Sequence, residues 1–176
     1  MIRVFLVIIG ILLLILIGVL WIDHASSCGA KPKTLAELQA LPTESLARQV
    51  VDDLAMVAFA AGAPRDAWKR FNEPARHAWT LAIVEAGSDE LGATGFVRAH
   101  AGDDGFPRVE DARDACLAMG LGDAAQILEG ILSGHGQADA DASWLNALRR
   151  PESIVRRQEY LQLHLAQIAE PLKDSR

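Results

Sequence analysis

The sequence predicts an all-α protein, with a single N-terminal transmembrane helix followed by an irregular bundle of five to seven helices. Three observations carry that expectation. The run from Val4 to Ile22 reads VFLVIIGILLLILIGVLWI without a charge, and about twenty apolar residues at roughly 1.5 Å rise cross a bilayer core as a helix. Beyond it alanine is abundant and β-branched runs are scarce, which favours helix over sheet. In that same remainder apolar residues recur at spacings of three and four, the signature of a helix with one buried face.

The apolar run is longer than the hydrophobic part of a cleavable signal, so an uncleaved signal anchor is expected over residues 1–28. Trp21 lies where an interfacial indole belongs. Cleavage and lipidation are the alternatives: Ala25 and Ser27 are small residues at −3 and −1 of a cut before Cys28. A lipobox, however, usually has leucine at −3 and directly follows the apolar run, whereas Asp23 and His24 intervene here. Arg3 precedes the run and Lys31 and Lys33 follow it, so the positive-inside count is ambiguous. The very short N-terminal tail favours a domain on the non-cytoplasmic, periplasmic side of the cell membrane.

Residues 29–43 read as a linker with a short helix, and residues 44–176 as the helical domain. Thr34 is placed to cap TLAELQAL, which stops at Pro42. Thr43 opens a long helix with Leu46, Val50, Leu54, Val57 and Ala61 on one face, ended by Gly62. A turn then carries Trp68 and Phe71. Asn72 is a good N-cap, with Glu73 and Pro74 in the first turn. The helix it starts has Trp79, Ile83 and Ala86 as its stripe and reaches Glu90 or Leu91. The glycines from Gly92 to Gly95 interrupt, and helix resumes from Phe96 to His100.

Asp103, Asp104, Gly105 and Pro107 make a surface turn. Val109, Ala112, Cys116 and Met119 then mark a helix closed by Gly120 as its C′ residue. Asp123 is expected to cap the next, with Ala124, Ile127, Leu128 and Ile131 inward. GHGQADAD is a polar loop, Trp144, Leu145 and Leu148 mark a short helix, and Pro151 opens the last one. Its stripe is Ile154, Leu161, Leu165, Ile168 and Leu172.

The formal charge of −6 lies in the domain, because Arg3 and Asp23 cancel within the first 23 residues. This acidity argues against nucleic acid as a partner. The two cysteines, Cys28 and Cys116, form no framework and no CxxC motif. No histidine pair has metal-ligand spacing, and His135 with Asp139 and Asp141 lacks the order of a calcium loop. His77 one turn from Glu73 reads as a surface pair. Asp52 with Asp53, and Glu85, Asp89 and Glu90, read as solvated carboxylates without a nucleophile or partner base. Arg149, Arg150, Arg156 and Arg157 read as a salt-laced exposed face, and Trp68, Trp79 and Trp144 as core. No catalytic, cofactor-binding or metal-binding residue is assigned, and the chain is not expected to be an enzyme.

Three segments carry a family resemblance. NEPARHAW, ELGATGF and CLAMGLGDAAQILEGIL follow one another in the order found in the small α-helical domain of a bacterial DNA-mimic protein and its relatives. The chain resembles that family over roughly Glu44 to Glu170. Glu90, Leu91, Gly95 and Phe96 match its E-V-N-N-G-G-F stretch in spacing. Gly92, Ala93 and Thr94 replace the Asn-Asn-Gly, and Val97, Arg98 and His100 stand where its aromatics follow. The resemblance implies the fold. It does not extend to mimicry of DNA, because the acidic excess is modest and four arginines dilute it. Within this segment, Glu90 is expected to accept backbone N–H groups of the glycine turn. Gly95 is expected to need a backbone that a Cβ disfavours, and Phe96 to be buried beside Trp79 or Met119.

Together these readings describe a membrane-anchored helical module that binds an unidentified protein partner. An envelope-facing immunity or inhibitor protein against a toxin is the alternative. A hydrolase has neither a G-x-S-x-G nor a metal motif to rest on.

Overall fold

A computed structural model describes residues 31–60, 68–100, 107–134 and 139–173. The apolar run of residues 4–22, Cys28, Gly62, the turn at residues 103–105 and His135 lie outside the described residues. Among the described residues, eight α-helices and one 3-10 turn occur and no strand does. No described helix is long and apolar enough to cross a membrane.

Residues 32–176 form one compact unit. Helix α1 (Leu35–Gln39) opens it. Thr34 Oγ1 accepts from Glu37 N at 3.2 Å while the Glu37 carboxylate accepts from Thr34 N at 2.6 Å, a reciprocal cap that satisfies two otherwise orphaned donors. Residues 29–43 were read as a linker with a short helix capped by Thr34; α1 is that helix, and its Leu38 is buried in the core.

Helix α2 (Thr43–Ala60) buries Leu46, Val50 and Leu54 as the spacing predicts. The 3-10 turn Trp68–Arg70 precedes α3 (Glu73–Leu91). Asn72 joins two helix ends: its Oδ1 accepts from Ala75 N at 3.2 Å, and its Nδ2 donates to the Gln167 carbonyl at 2.6 Å. One side chain thereby caps a donor at the start of α3 and an acceptor in the last turn of the final helix.

Only Gly92 breaks the chain after α3. Its φ of +72° is left-handed, and α4 (Ala93–Ala99) restarts at once. The resumed helix is the one expected over Phe96–His100, starting three residues earlier, and Gly95 lies inside it without a positive φ. The expectation for Gly95 is thus corrected, since the conformation that needs a glycine sits three residues earlier.

Helices α5 (Val109–Ala118) and α6 (Gly122–Leu132) meet at a tight corner. Gly120 has φ +70°; its N–H donates to the Leu117 carbonyl at 3.0 Å and Leu121 N–H to the Cys116 carbonyl at 2.8 Å. Those two bonds make the Schellman ending expected of Gly120 as C′. Asp123 does not cap α6, whose N-cap is Leu121; the corner already fixes the entry to the helix, and Asp123 instead pairs with Arg150 at 2.8 Å.

Helix α7 (Ala140–Leu148) takes in the end of the expected polar loop. Helix α8 (Pro151–Ile168) buries Leu161, Leu165 and Ile168, with Leu172 beyond its end. Ile154 is 44% exposed, a correction to the predicted stripe. Ser153 faces inward in the first turn, where its hydroxyl donates to the Ala147 carbonyl at 2.7 Å. Ala86 is likewise exposed, and the inward face of α3 runs through Leu81, Val84 and Ser88 instead.

Two hydrophobic clusters result. The first gathers α1, α2, the 3-10 turn, the start of α3 and the end of α8. The second gathers the end of α3 with α4, α5, α6 and α7. Phe96 lies in the second with Met119 and not with Trp79. Its ring covers Gly87, where an added Cβ would collide with it.

Candidate functional site

Helix α3 shares one face with the 3-10 turn and α5, and a half-open cleft of about 380 Å3 lies there. Trp68 and Lys69 come from the turn, and Glu73, Arg76, His77 and Thr80 from successive turns of α3. Asp111 and Asp114, one turn apart on α5, form the facing wall. The i, i+3 and i, i+4 spacing of both sets is what brings each to one face of its helix.

His77 is not the surface residue the sequence suggested. Its side chain is 13% exposed, against 73% for Glu73, and the two are 4.0 Å apart. Its Nδ1 lies 2.8 Å from the Tyr160 hydroxyl of α8, and the rings tilt against each other. Burial lowers the His77 pKa below the ordinary histidine value, partly offset by Glu73. Burial, with Glu73 adding, pushes the Tyr160 hydroxyl up. The pair is therefore uncharged near neutral pH and serves as a hydrogen-bonded tie between α3 and α8.

The two carboxylates of the far wall are held from behind. Asp111 Oδ2 accepts from Arg108 N at 2.8 Å, the cap of α5. Asp114 Oδ1 accepts from Arg113 at 2.8 and 3.0 Å, and Arg113 also holds Glu129 at 2.7 Å. Each carboxylate thus spends one oxygen on its own helix surroundings. Arg76 forms no ion pair among the described residues. The buried Thr80 hydroxyl has no hydrogen-bond partner among them.

The other residues singled out from sequence take structural places. Glu90 is exposed. Asp141 of α7 fills the role expected of it: its Oδ1 accepts from Thr94 N at 2.8 Å and from the Thr94 hydroxyl at 3.0 Å. That carboxylate lies over Gly92, where a Cβ would strike it, and it caps the start of α4. Asp53 is not solvated. It is fully buried, accepting from Lys33 N at 2.9 Å and Gln49 Nε2 at 2.7 Å, and burial raises its pKa despite both bonds.

The four arginines are clips. Arg149 bonds Asp89 at 2.5 Å, Arg150 bonds Asp123, Arg156 donates to the Gly120 carbonyl at 2.7 Å, and Arg157 holds Glu85 at 2.9 Å. Cys116 is a free, buried thiol pushed up to about 12 by burial, so it is inert as a nucleophile. No group of three or more metal-ligating side chains occurs among the described residues.

The cleft itself went unread in the sequence. Its members span residues 68 to 114 on three elements; of them the sequence reading took up Trp68, as core, and the one-turn pair Glu73 and His77, as a surface pair, without bringing them together. Comparison of the chain with protein-family models, curated proteins and solved structures returns no match.

Proposed function

We propose that the chain is a membrane-anchored helical module that acts by binding another protein at the bilayer surface. The observation that carries this reading is the charge-free run from Val4 to Ile22, joined by a short linker to a folded domain. The domain's polar chemistry supports it. Asp53, Asp141, Glu85 and the four arginines Arg149, Arg150, Arg156 and Arg157 are engaged in caps and clips. None of them forms a nucleophile–base pair. The linker also begins from a fixed point, because Asp53 holds the backbone of Lys33 at 2.9 Å. A domain tethered in this way keeps its binding surface within reach of membrane-bound partners.

The test is a tagged full-length chain, solubilised in detergent and purified under mild conditions, beside a reporter fused after Arg176. A partner recovered at a constant ratio across preparations, and lost when the chain is expressed without residues 1–28, supports the reading. Activity of the reporter on the non-cytoplasmic side places that partner in the envelope. A chain that purifies alone with and without prior crosslinking overturns the interaction reading.

A further inference from the structure

The segment that leads into the domain is held by a buried carboxylate. Pro32 is buried, Lys33 and Thr34 are half-buried, and α1 packs on the first cluster through Leu38, with Leu35 and Leu41 partly buried beside it. The hydrogen bonds that shape this segment are local. Leu38 N donates to the Thr34 carbonyl, Ala40 N to the Ala36 carbonyl and Leu41 N to the Leu38 carbonyl, while Thr34 and Glu37 cap each other. From the body, Asp53 of α2 reaches across 20 positions and accepts from Lys33 N at 2.9 Å. Its other oxygen accepts from Gln49 Nε2 at 2.7 Å, and the residue is 0% exposed. A helix of five residues does not persist by itself. A segment fastened by so few buried side chains opens locally, without the rest of the domain.

We infer that residues 32–41 are a releasable strap, docked on α2 while Asp53 carries a proton and freed when Asp53 is ionised. Burial opposes the charged form of a carboxylate, and opening the strap brings water to it. The charged groups that act on Asp53 are Lys33 of the strap and Asp52 of its own helix. Lys33 and the two hydrogen bonds favour the ionised form and Asp52 opposes it, but burial outweighs them, so the docked residue has a raised pKa. In the open state water returns that value toward the ordinary one. Proton uptake therefore favours docking, and rising pH favours release, up to the raised value. Release itself needs no anchor. Its consequence rests on the anchored reading: with the strap open, residues 33–41 join the tether and lengthen it by up to about 30 Å.

Hydrogen–deuterium exchange of the full chain in detergent micelles tests it, each rate being divided by that of unstructured chain at the same pH. The amides of Lys33, Leu38, Ala40 and Leu41 should open at least about tenfold more often than those in the middle of α2 and α8. Between about pH 4 and about pH 8 their opening should rise at least about threefold relative to those helices, since each unit of pKa difference corresponds to about tenfold. Asp53→Asn keeps the size of the side chain and should abolish that rise. Leu38→Ala leaves Asp53 in place, so it should open the strap further at every pH and keep the rise. Strap amides that open only together with α2 and α8 overturn the inference. So does an opening that is flat with pH, or a rise that survives Asp53→Asn. Loss of residues 1–27 by mass spectrometry would instead defeat the anchored reading and leave the strap result standing.

Discussion

The two hydrophobic clusters are built on opposite plans. The first joins segments far apart in the chain, with α1 and α2 packed on the end of α8. Its rim is held by long-range bonds such as Asn72 to Gln167 and His77 to Tyr160. The second is assembled from consecutive helices, α3 to α7, each packed on a near neighbour in sequence. Its turns are closed by Gly92 and Gly120, and small residues such as Ala112, Ala115, Ala124 and Ala125 bring the helices close. Helix α3 is the beam common to both. Contacts between near neighbours require little loop closure, and contacts across a hundred residues require more. The second cluster is therefore the part that should form first and open last.

The largest test of that contrast is Phe96→Ala. The ring is 3% exposed in the second cluster, and its loss should cost about 3–5 kcal/mol. Denaturant melts of residues 32–176 read the value. Leu165→Ala in the first cluster, also buried, should cost about 2–5 kcal/mol and should act mainly by speeding unfolding. An equal slowing of refolding by both would erase the distinction between the clusters.

Gly92→Ala comes next. It combines a left-handed φ with a collision at Asp141, so it should cost more than the roughly 1–2 kcal/mol of the backbone alone. Asp141→Asn should soften the collision little, because the side chain keeps its size. Gly130→Ala, in helix α6 with open space around it, should instead stabilise by about 0.5–1 kcal/mol.

Two groups partly or wholly withdrawn from water give opposite pH signatures. Asp53 has a raised pKa in the folded state. Its contribution is fully present below the ordinary aspartate value and is lost as pH rises through the raised one. His77 has a lowered pKa, with Glu73, Arg76, Asp114, His164 and Tyr160 around it. Its contribution is present above the ordinary histidine value and is lost as pH falls toward the lowered one. Melting midpoints against pH should lose the first dependence in Asp53→Asn and the second in His77→Gln. The smallest effect is expected for Arg149→Ala. Its pair with Asp89 is about half exposed on both sides, and such pairs contribute about 0–1 kcal/mol.

The same contrast governs what the sequence made legible. Signals that act over three or four residues were readable: the Thr34 and Asn72 caps, the Gly120 corner, and the Leu161, Leu165 and Ile168 stripe. Features made by residues far apart were not. Asp141 reaches Thr94 across 47 positions and His77 meets Tyr160 across 83, so Glu90 and the surface were the nearest local guesses for those roles. Ile154 failed for a related reason. It has the heptad spacing of Leu161, yet the first turn of α8 is set by the Ser153 bond back to Ala147. The cleft combines both difficulties, since each wall follows helical spacing but the pairing of walls is tertiary.

Residues 1–28 carry the proposed anchoring. Sodium carbonate extraction of membranes from cells making the full chain tests it directly. The account predicts that the chain stays in the membrane pellet with its N-terminus intact by mass spectrometry, while a version starting at residue 32 leaves it. Recovery of the protein in the supernatant, with residues 1–27 removed, would contradict it.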